Sequence, residues 1–198
     1  ADIVIVSIFV NPLQFGPGED LKKYPRNMKR DEKLCRDAGV DYIFYPDANQ
    51  MYPVGYSTYV HVEKVSDGLE GSIRPGHFKG VATIVLKLFN IIQPHFSFFG
   101  QKDAQQLSVL RKMTEDLNVN TKIVVCPTAR EKDGLAMSSR NVYLTGKQRK
   151  DAAYLYKALE YARRKITLEN YNRDIDFLKG QMSKLIKSRE TATKIDYI

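Results

Sequence analysis

The chain has 198 residues, with 31 Lys plus Arg against 23 Asp plus Glu, a formal charge of +8. Its 43% hydrophobic and 27% charged residues are a globular composition, excluding a disordered tail, a collagen-like repeat and a low-complexity scaffold. No apolar run approaches the roughly 20 residues that cross a bilayer, and the opening lacks the basic leader of a signal peptide.

Ile3 to Val10 is an apolar, β-branched run, the pattern of a strand covered on both faces of a parallel sheet. It stops at Asn11-Pro12, because proline cannot donate to a ladder. Asn27 to Ala38 predicts a helix with Met28, Leu34 and Cys35 inward, ended by Gly39. Asp41 to Tyr45 predicts a short strand, and Tyr56 to Val65 another with alternating Thr58, Val60 and Val62. Gly80 to Ile92 has the spacing of an apolar helix. His95 to Phe99 predicts a buried strand, Asp103 to Leu117 an amphipathic helix, and Thr121 to Val125 a further strand. Alternating strand and helix argue for an α/β fold with a doubly wound parallel sheet. After Leu144 the composition shifts to charged, Gly-poor helical stretches, Thr145 to Lys165 and Tyr171 to Lys187, with a strand beginning at Lys194 to Ile198. The expected division is a domain over residues 1–144 and a small helical or α+β domain starting at 145–198.

Two cysteines, Cys35 and Cys126, are too few for a disulfide scaffold and lie in no metal-ligand spacing. A reducing cytoplasm is the expected compartment, and no residue is assigned as a metal ligand. The positive charge fits an anionic substrate, nucleic acid or a solvated basic surface. Most of the excess follows Lys147 on helical segments, where solvated faces account for it. Dispersed basic residues without an aromatic-basic motif disfavour a nucleic-acid-binding module.

In open α/β sheets ligands collect at the carboxyl ends of strands. Phe9 to Gly16 forms one such exit; Asn, Pro and Gly suit a turn, but no turn demands Gln14 between Leu13 and Phe15. At Phe99 to Gln106 a strand runs through Gly100 into a helix. There Lys102 beside a helix N-terminus would suit a phosphate, Asp103 can serve as N-cap, and Gln106 lies one turn on. Thr128 to Asn141 contains Ser138-Ser139-Arg140, two hydroxyls and a guanidinium fork matched to phosphate oxygens, although a surface turn also uses Ser-Ser. In Leu69 to Phe78, Arg74 and His77 face either an anion or structural partners.

Four strings, Ser7-Ile8-Phe9-Val10-Asn11-Pro12, Arg74-Pro75-Gly76-His77-Phe78, Phe99 through Gln106 and Asp133 through Asn141, together resemble the pantothenate synthetase (pantoate–β-alanine ligase) family over essentially the whole chain. The resemblance implies a Rossmann-like nucleotidyltransferase domain, a smaller C-terminal lid domain, cytoplasmic location and a homodimer. It implies ATP and Mg²⁺, with pantoate and ATP giving pantoyl adenylate and pyrophosphate before β-alanine displaces AMP. Matched residue by residue, Gly100, Gln101, Lys102, Asp103, Ala129, Met137, Ser138, Ser139 and Arg140 would bind ATP. Lys102, Ser138, Ser139 and Arg140 would stabilise charge developing on the phosphates. Gln14 and Gln106 would hold pantoate, Gln14 would also meet β-alanine, and Asn11 would line the pocket. Another carboxylate-adenylating nucleotidyltransferase is the alternative reading. The family's two-histidine signature does not occur here, where the histidines are His61, His77 and His95. The expectation is therefore an internal stretch, with that signature upstream of Ala1 and the C-terminal domain cut at Ile198, marginally stable and inactive by itself.

Overall fold

A computed structural model describes residues 2–168, 174–192 and 194–198. The chain divides into two units, Ala1–Phe99 with Asp103–Val125, and Gly100–Lys102 with Cys126–Ile198.

The first unit opens as strand, helix, strand. β1 (Ile5–Ser7) pairs in parallel with β2 (Tyr42–Phe44), in the register Ile5 to Tyr42, Val6 to Ile43 and Ser7 to Phe44. Their connection is α1 (Met28–Asp37), capped by the Asn27 side chain, which accepts from the Arg30 N–H at 3.1 Å. A single-turn α2 (Ala48–Met51) follows Pro46-Asp47, with the Gln50 side chain accepting from the Asp47 N–H at 2.7 Å. α3 (Glu70–Ile73) and the long α4 (His77–Ile92) come next. β3 (Phe96–Gly100) leads through a 3-10 turn, Gln101–Asp103, into α5 (Ala104–Asp116), and β4 (Lys122–Cys126) pairs with β3. α4 packs on α5, and the apolar stripe expected from the spacing forms the core. Val81, Ala82, Ile84, Val85 and Phe89 of α4 meet Val109, Leu110 and Met113 of α5, with Met51, Val62 and Phe78 completing the cluster.

In the second unit, α6 (Gly146–Leu168) packs on α7 (Ile175–Lys187). Asp174 caps α7, its carboxylate accepting from the Phe177 N–H at 2.9 Å. Ala153, Ala158, Leu178 and Met182 are buried.

Several expectations need correction. The opening strand is three residues long rather than Ile3 to Val10, and it is not covered on both faces: Ile3 is 61% and Ile5 40% exposed. Hydrophobicity alone does not report coverage. Ile8 still donates to the Phe44 carbonyl at 3.0 Å before the chain turns away. Leu34 is exposed rather than inward, and β3 alternates, with Phe96 and Phe98 exposed while Phe99 meets Phe89 edge-to-face. Tyr56 to Val65 is not a strand. Its alternation is satisfied by a helix: Val60 donates its N–H to Thr83 Oγ1 of α4 at 2.9 Å, and Val60 and Val62 pack into the core. Residues 194–198 form no strand. The helix expected from Tyr171 starts at Ile175, its first residues lying outside the described ones.

Candidate functional site

Asn11 to Gln14 sit where the chain leaves β1. Pro12–Gln14 form a 3-10 turn whose cap is Asn11, with Pro at its first position as the missing N–H allows. Asn11 is 2% exposed, so each polar atom requires a partner. Its Nδ2 donates to the Gly80 carbonyl at 3.0 Å and to Gln14 Oε1 at 3.3 Å. Its Oδ1 accepts from the Tyr52 hydroxyl at 2.8 Å and the Leu13 N–H at 3.3 Å. Burial, with Tyr56 and Tyr59 nearby, pushes the Tyr52 phenol well up, so it stays a neutral donor. The bond from Asn11 occupies the oxygen of the Gln14 amide, leaving its NH₂ as the end suited to a carboxylate.

Gly80 permits this arrangement. A Cβ there would lie 2.4 Å from the Leu13 carbonyl oxygen and 2.7 Å from the Gln14 nitrogen, so no larger residue lets the 3-10 turn lie against α4.

Arg74 and His77, left undecided by spacing, meet protein partners. Arg74 Nε and Nη2 donate to the two Glu19 oxygens at 2.9 and 2.5 Å, and Glu70 lies 3.4 Å from Nη1. The hydrogen bond from Arg74 holds the Glu19 carboxyl below its ordinary range. Arg74 Nη2 and His77 Nδ1 both reach the Gln14 main-chain oxygen, at 3.2 and 2.9 Å. No sequence signal linked Glu19 to Arg74, 55 residues away.

Gln106 is half-buried in the first turn of α5. Its neighbour Gln105 ties down the loop before α3, donating to the Val65 and Gly68 carbonyls at 3.1 and 2.7 Å and accepting from the Glu70 N–H at 3.0 Å. Gly100, Gln101, Lys102 and Asp103 are exposed. Asp103 occupies the N-cap position of α5 without a side-chain cap hydrogen bond.

In the second unit the segment after β4 folds back on itself. Arg130 and Ala136 form an antiparallel bridge, and the Met137 N–H donates to the Ala129 carbonyl at 2.9 Å. Ala129 and Met137, two of the predicted nucleotide contacts, are thus adjacent and exposed. Arg149 holds both Asp133 oxygens at 2.6 and 3.1 Å, and Arg130 stacks on Tyr156 at 4.4 Å. These pairs, which spacing did not reveal, brace the loop from α6. Ser138 Oγ accepts from the Arg140 N–H at 3.2 Å and caps a 3-10 helix over Ser139–Tyr143. That turn brings Ser139 and Arg140 to the exposed surface.

Lysine after one strand, a hydroxyl-and-guanidinium turn after another and a glutamine-bearing turn after a third are groups whose chemistry suits a nucleotide and a small acid. Comparison narrows this. The family model for pantoate-beta-alanine ligase matches residues 1–198. A pantothenate synthetase of Caldicellulosiruptor saccharolyticus is 55% identical over 197 residues, covering 100% of this chain and 69% of that protein. The crystal structure of pantothenate synthetase from Thermus thermophilus superposes with a TM-score of 0.89 at 42% identity, covering 99% of this chain and 75% of that one. The pantoate-beta-alanine ligase from Francisella tularensis, complexed with beta-gamma ATP and beta-alanine, matches with a TM-score of 0.79 at 36% identity, over 93% of this chain and 68% of that one. The chain belongs to the pantoate-beta-alanine ligase family, and its fold is the α/β, Rossmann-like one expected.

Proposed function

We propose that the intact protein carries out ATP-dependent joining of pantoate to β-alanine, with a pantoyl adenylate between the two steps. Family membership over residues 1–198 supports the ligation, and the relative complexed with beta-gamma ATP and beta-alanine supports two of the three substrates. The observation that carries the acid's site is the buried Asn11, which turns the amide of Gln14 so that its NH₂ is offered.

The chemistry assigns the rest. Pantoate's carboxylate attacks the α-phosphorus, so it must be oriented without losing electron density. Gln14 and Gln106 are neutral donors that orient it with less withdrawal than arginine would cause. Lys102, Ser138, Ser139 and Arg140 place cationic and hydroxyl donors on the phosphates, where charge accumulates as pyrophosphate departs. Gly100, Gln101 and Asp103 continue the ATP segment, and Ala129 and Met137 flank the nucleoside. In the second step the amine of β-alanine, near Gln14, attacks the acyl carbon and AMP leaves.

Mg²⁺ takes hard oxygen ligands, commonly one or two carboxylates with phosphate oxygens. Among the described residues no group of three His, Cys, Asp or Glu can hold a metal, while Asp103 is an exposed carboxylate at the start of α5. This donor set fits a cation brought by the triphosphate, with Asp103 as the carboxylate that would hold it. When bound, such a cation neutralises phosphate charge.

Two free cysteines support a reducing, cytoplasmic location, and the family resemblance supports a homodimer. Among the described residues no helix is long and apolar enough to cross a membrane. The intact protein supplied with ATP, pantoate and β-alanine should release one AMP per amide formed. Release of ADP instead would refute the adenylate route.

A further inference from the structure

Gln14 is gripped at its main chain as well as at its side chain. Its carbonyl oxygen accepts from Arg74 Nη2 at 3.2 Å and from His77 Nδ1 at 2.9 Å. The same guanidinium holds Glu19 with two hydrogen bonds, so one side chain spans the loop from Gln14 to Glu19. That loop contains Gly16, Pro17 and Gly18, and Phe15 at its start packs edge-to-face on Tyr24. The Arg74 side chain is only 18% exposed. Gly76, at φ 82°, provides the left-handed turn between Arg74 and His77 that L side chains rarely adopt.

The partners fix the proton on His77. A carbonyl only accepts, so Nδ1 carries hydrogen; arginine only donates, so Nε2, 3.3 Å from Arg74 Nη1, must accept. His77 is therefore the neutral Nδ1–H tautomer. A proton on Nε2 would face the guanidinium directly. Burial first of all, with Arg74 beside it, keeps the imidazole pKa below its ordinary value, against the opposing pull of the Gln14 carbonyl, Glu70 and Glu19.

We infer that Arg74 and His77 are positioning residues for Gln14: they fix its main chain so that its amide is presented to the hydroxy acid. The inference rests on the pantoate role proposed for Gln14. Neither residue touches substrate; both act through a carbonyl and a loop. Their loss should therefore weaken the acid's site selectively, leaving the ATP segment unchanged.

The test compares three variants of the intact protein by steady-state kinetics, with melting temperature recorded for each. Asn places a side-chain nitrogen near the Nδ1 position of histidine, whereas Gln reaches the Nε2 position. His77→Asn should keep the grip and stay close to the parent KM for pantoate. His77→Gln should lose it and raise that KM about tenfold, the worth of one buried hydrogen bond. Arg74→Lys, which cannot span Glu19 and Gln14 with one planar fork, should raise it at least as much. KM for ATP should not move in any of them. Equal pantoate KM for the Asn and Gln variants, or KM for ATP rising in step, would overturn the positioning role. If Arg74→Lys fails to fold, the His77 pair decides alone. Parent protein that forms no adenylate with pantoate would instead overturn the reaction itself, and this role with it.

Discussion

For the carboxylate proposed to lie against Gln14 a neutral amide is an unusual choice, since an arginine would bind more tightly. Tight ground-state binding does not accelerate attack, and a guanidinium draws electron density from the nucleophile. Gln14→Arg or Gln106→Arg should therefore slow adenylate formation while leaving or improving pantoate affinity. Single-turnover kinetics alongside direct binding check this; unchanged rates would remove the rationale. The same residues set an acid limit. His77 has its pKa lowered in the fold by burial, so the unfolded chain binds more protons below about pH 6.5. Its contribution to stability is complete above that pH and declines as pH falls toward the lowered value. Glu19, also lowered, by its bond from Arg74, adds a contribution that fades at still lower pH, below its ordinary 4.5. Melting temperature should thus begin to fall as pH drops below about 6.5. In His77→Asn, which cannot titrate, that first decline should flatten.

Elements follow from local signals where the signal is local. Asn27 and Gly39 bracket α1 as expected, and the apolar spacing of α4 builds the core. Strand length was not legible, because Ile3 and Val4 are as hydrophobic as a buried strand yet lie exposed. The residues at 56–65 mimic a strand because alternation also suits an extended segment lying along a helix. Thr83 makes that attachment, accepting from Val60 N–H and donating to the Lys79 carbonyl. In the candidate site, the sequence offered residue types suited to the proposed chemistry, whereas the partners that hold them were not legible. Glu19 to Arg74 and Asp133 to Arg149 are long-range pairs, and Gly80 looked like any small residue in a helix. Gly80→Ala should cost about 1–3 kcal/mol or more by overpacking, and it should disturb Gln14 directly. Denaturant unfolding and pantoate binding would show both effects; an alanine without consequence would contradict the close approach.

At the scale of the whole molecule, the chain divides into two units. The proposed acid-binding residues, Asn11, Gln14 and Gln106, belong to the first. Lys102 and the Ala129 to Arg140 turn belong to the second. The basic surplus is spread over exposed faces, many of its cations already paired, as in Arg36 with Glu32, Lys112 with Asp116 and Arg163 with Glu160. Such exposed pairs add little stability. The central claim is therefore chemical: this chain's residues activate a carboxylate with ATP. Pantoate-dependent exchange between ATP and labelled pyrophosphate, measured on the intact protein without β-alanine, tests it most directly. Exchange should require pantoate and fall by about 10²–10³ in Lys102→Ala, the usual consequence of removing one charge-stabilising donor. Exchange driven by a different carboxylic acid and not by pantoate, or exchange indifferent to Lys102, would contradict the account.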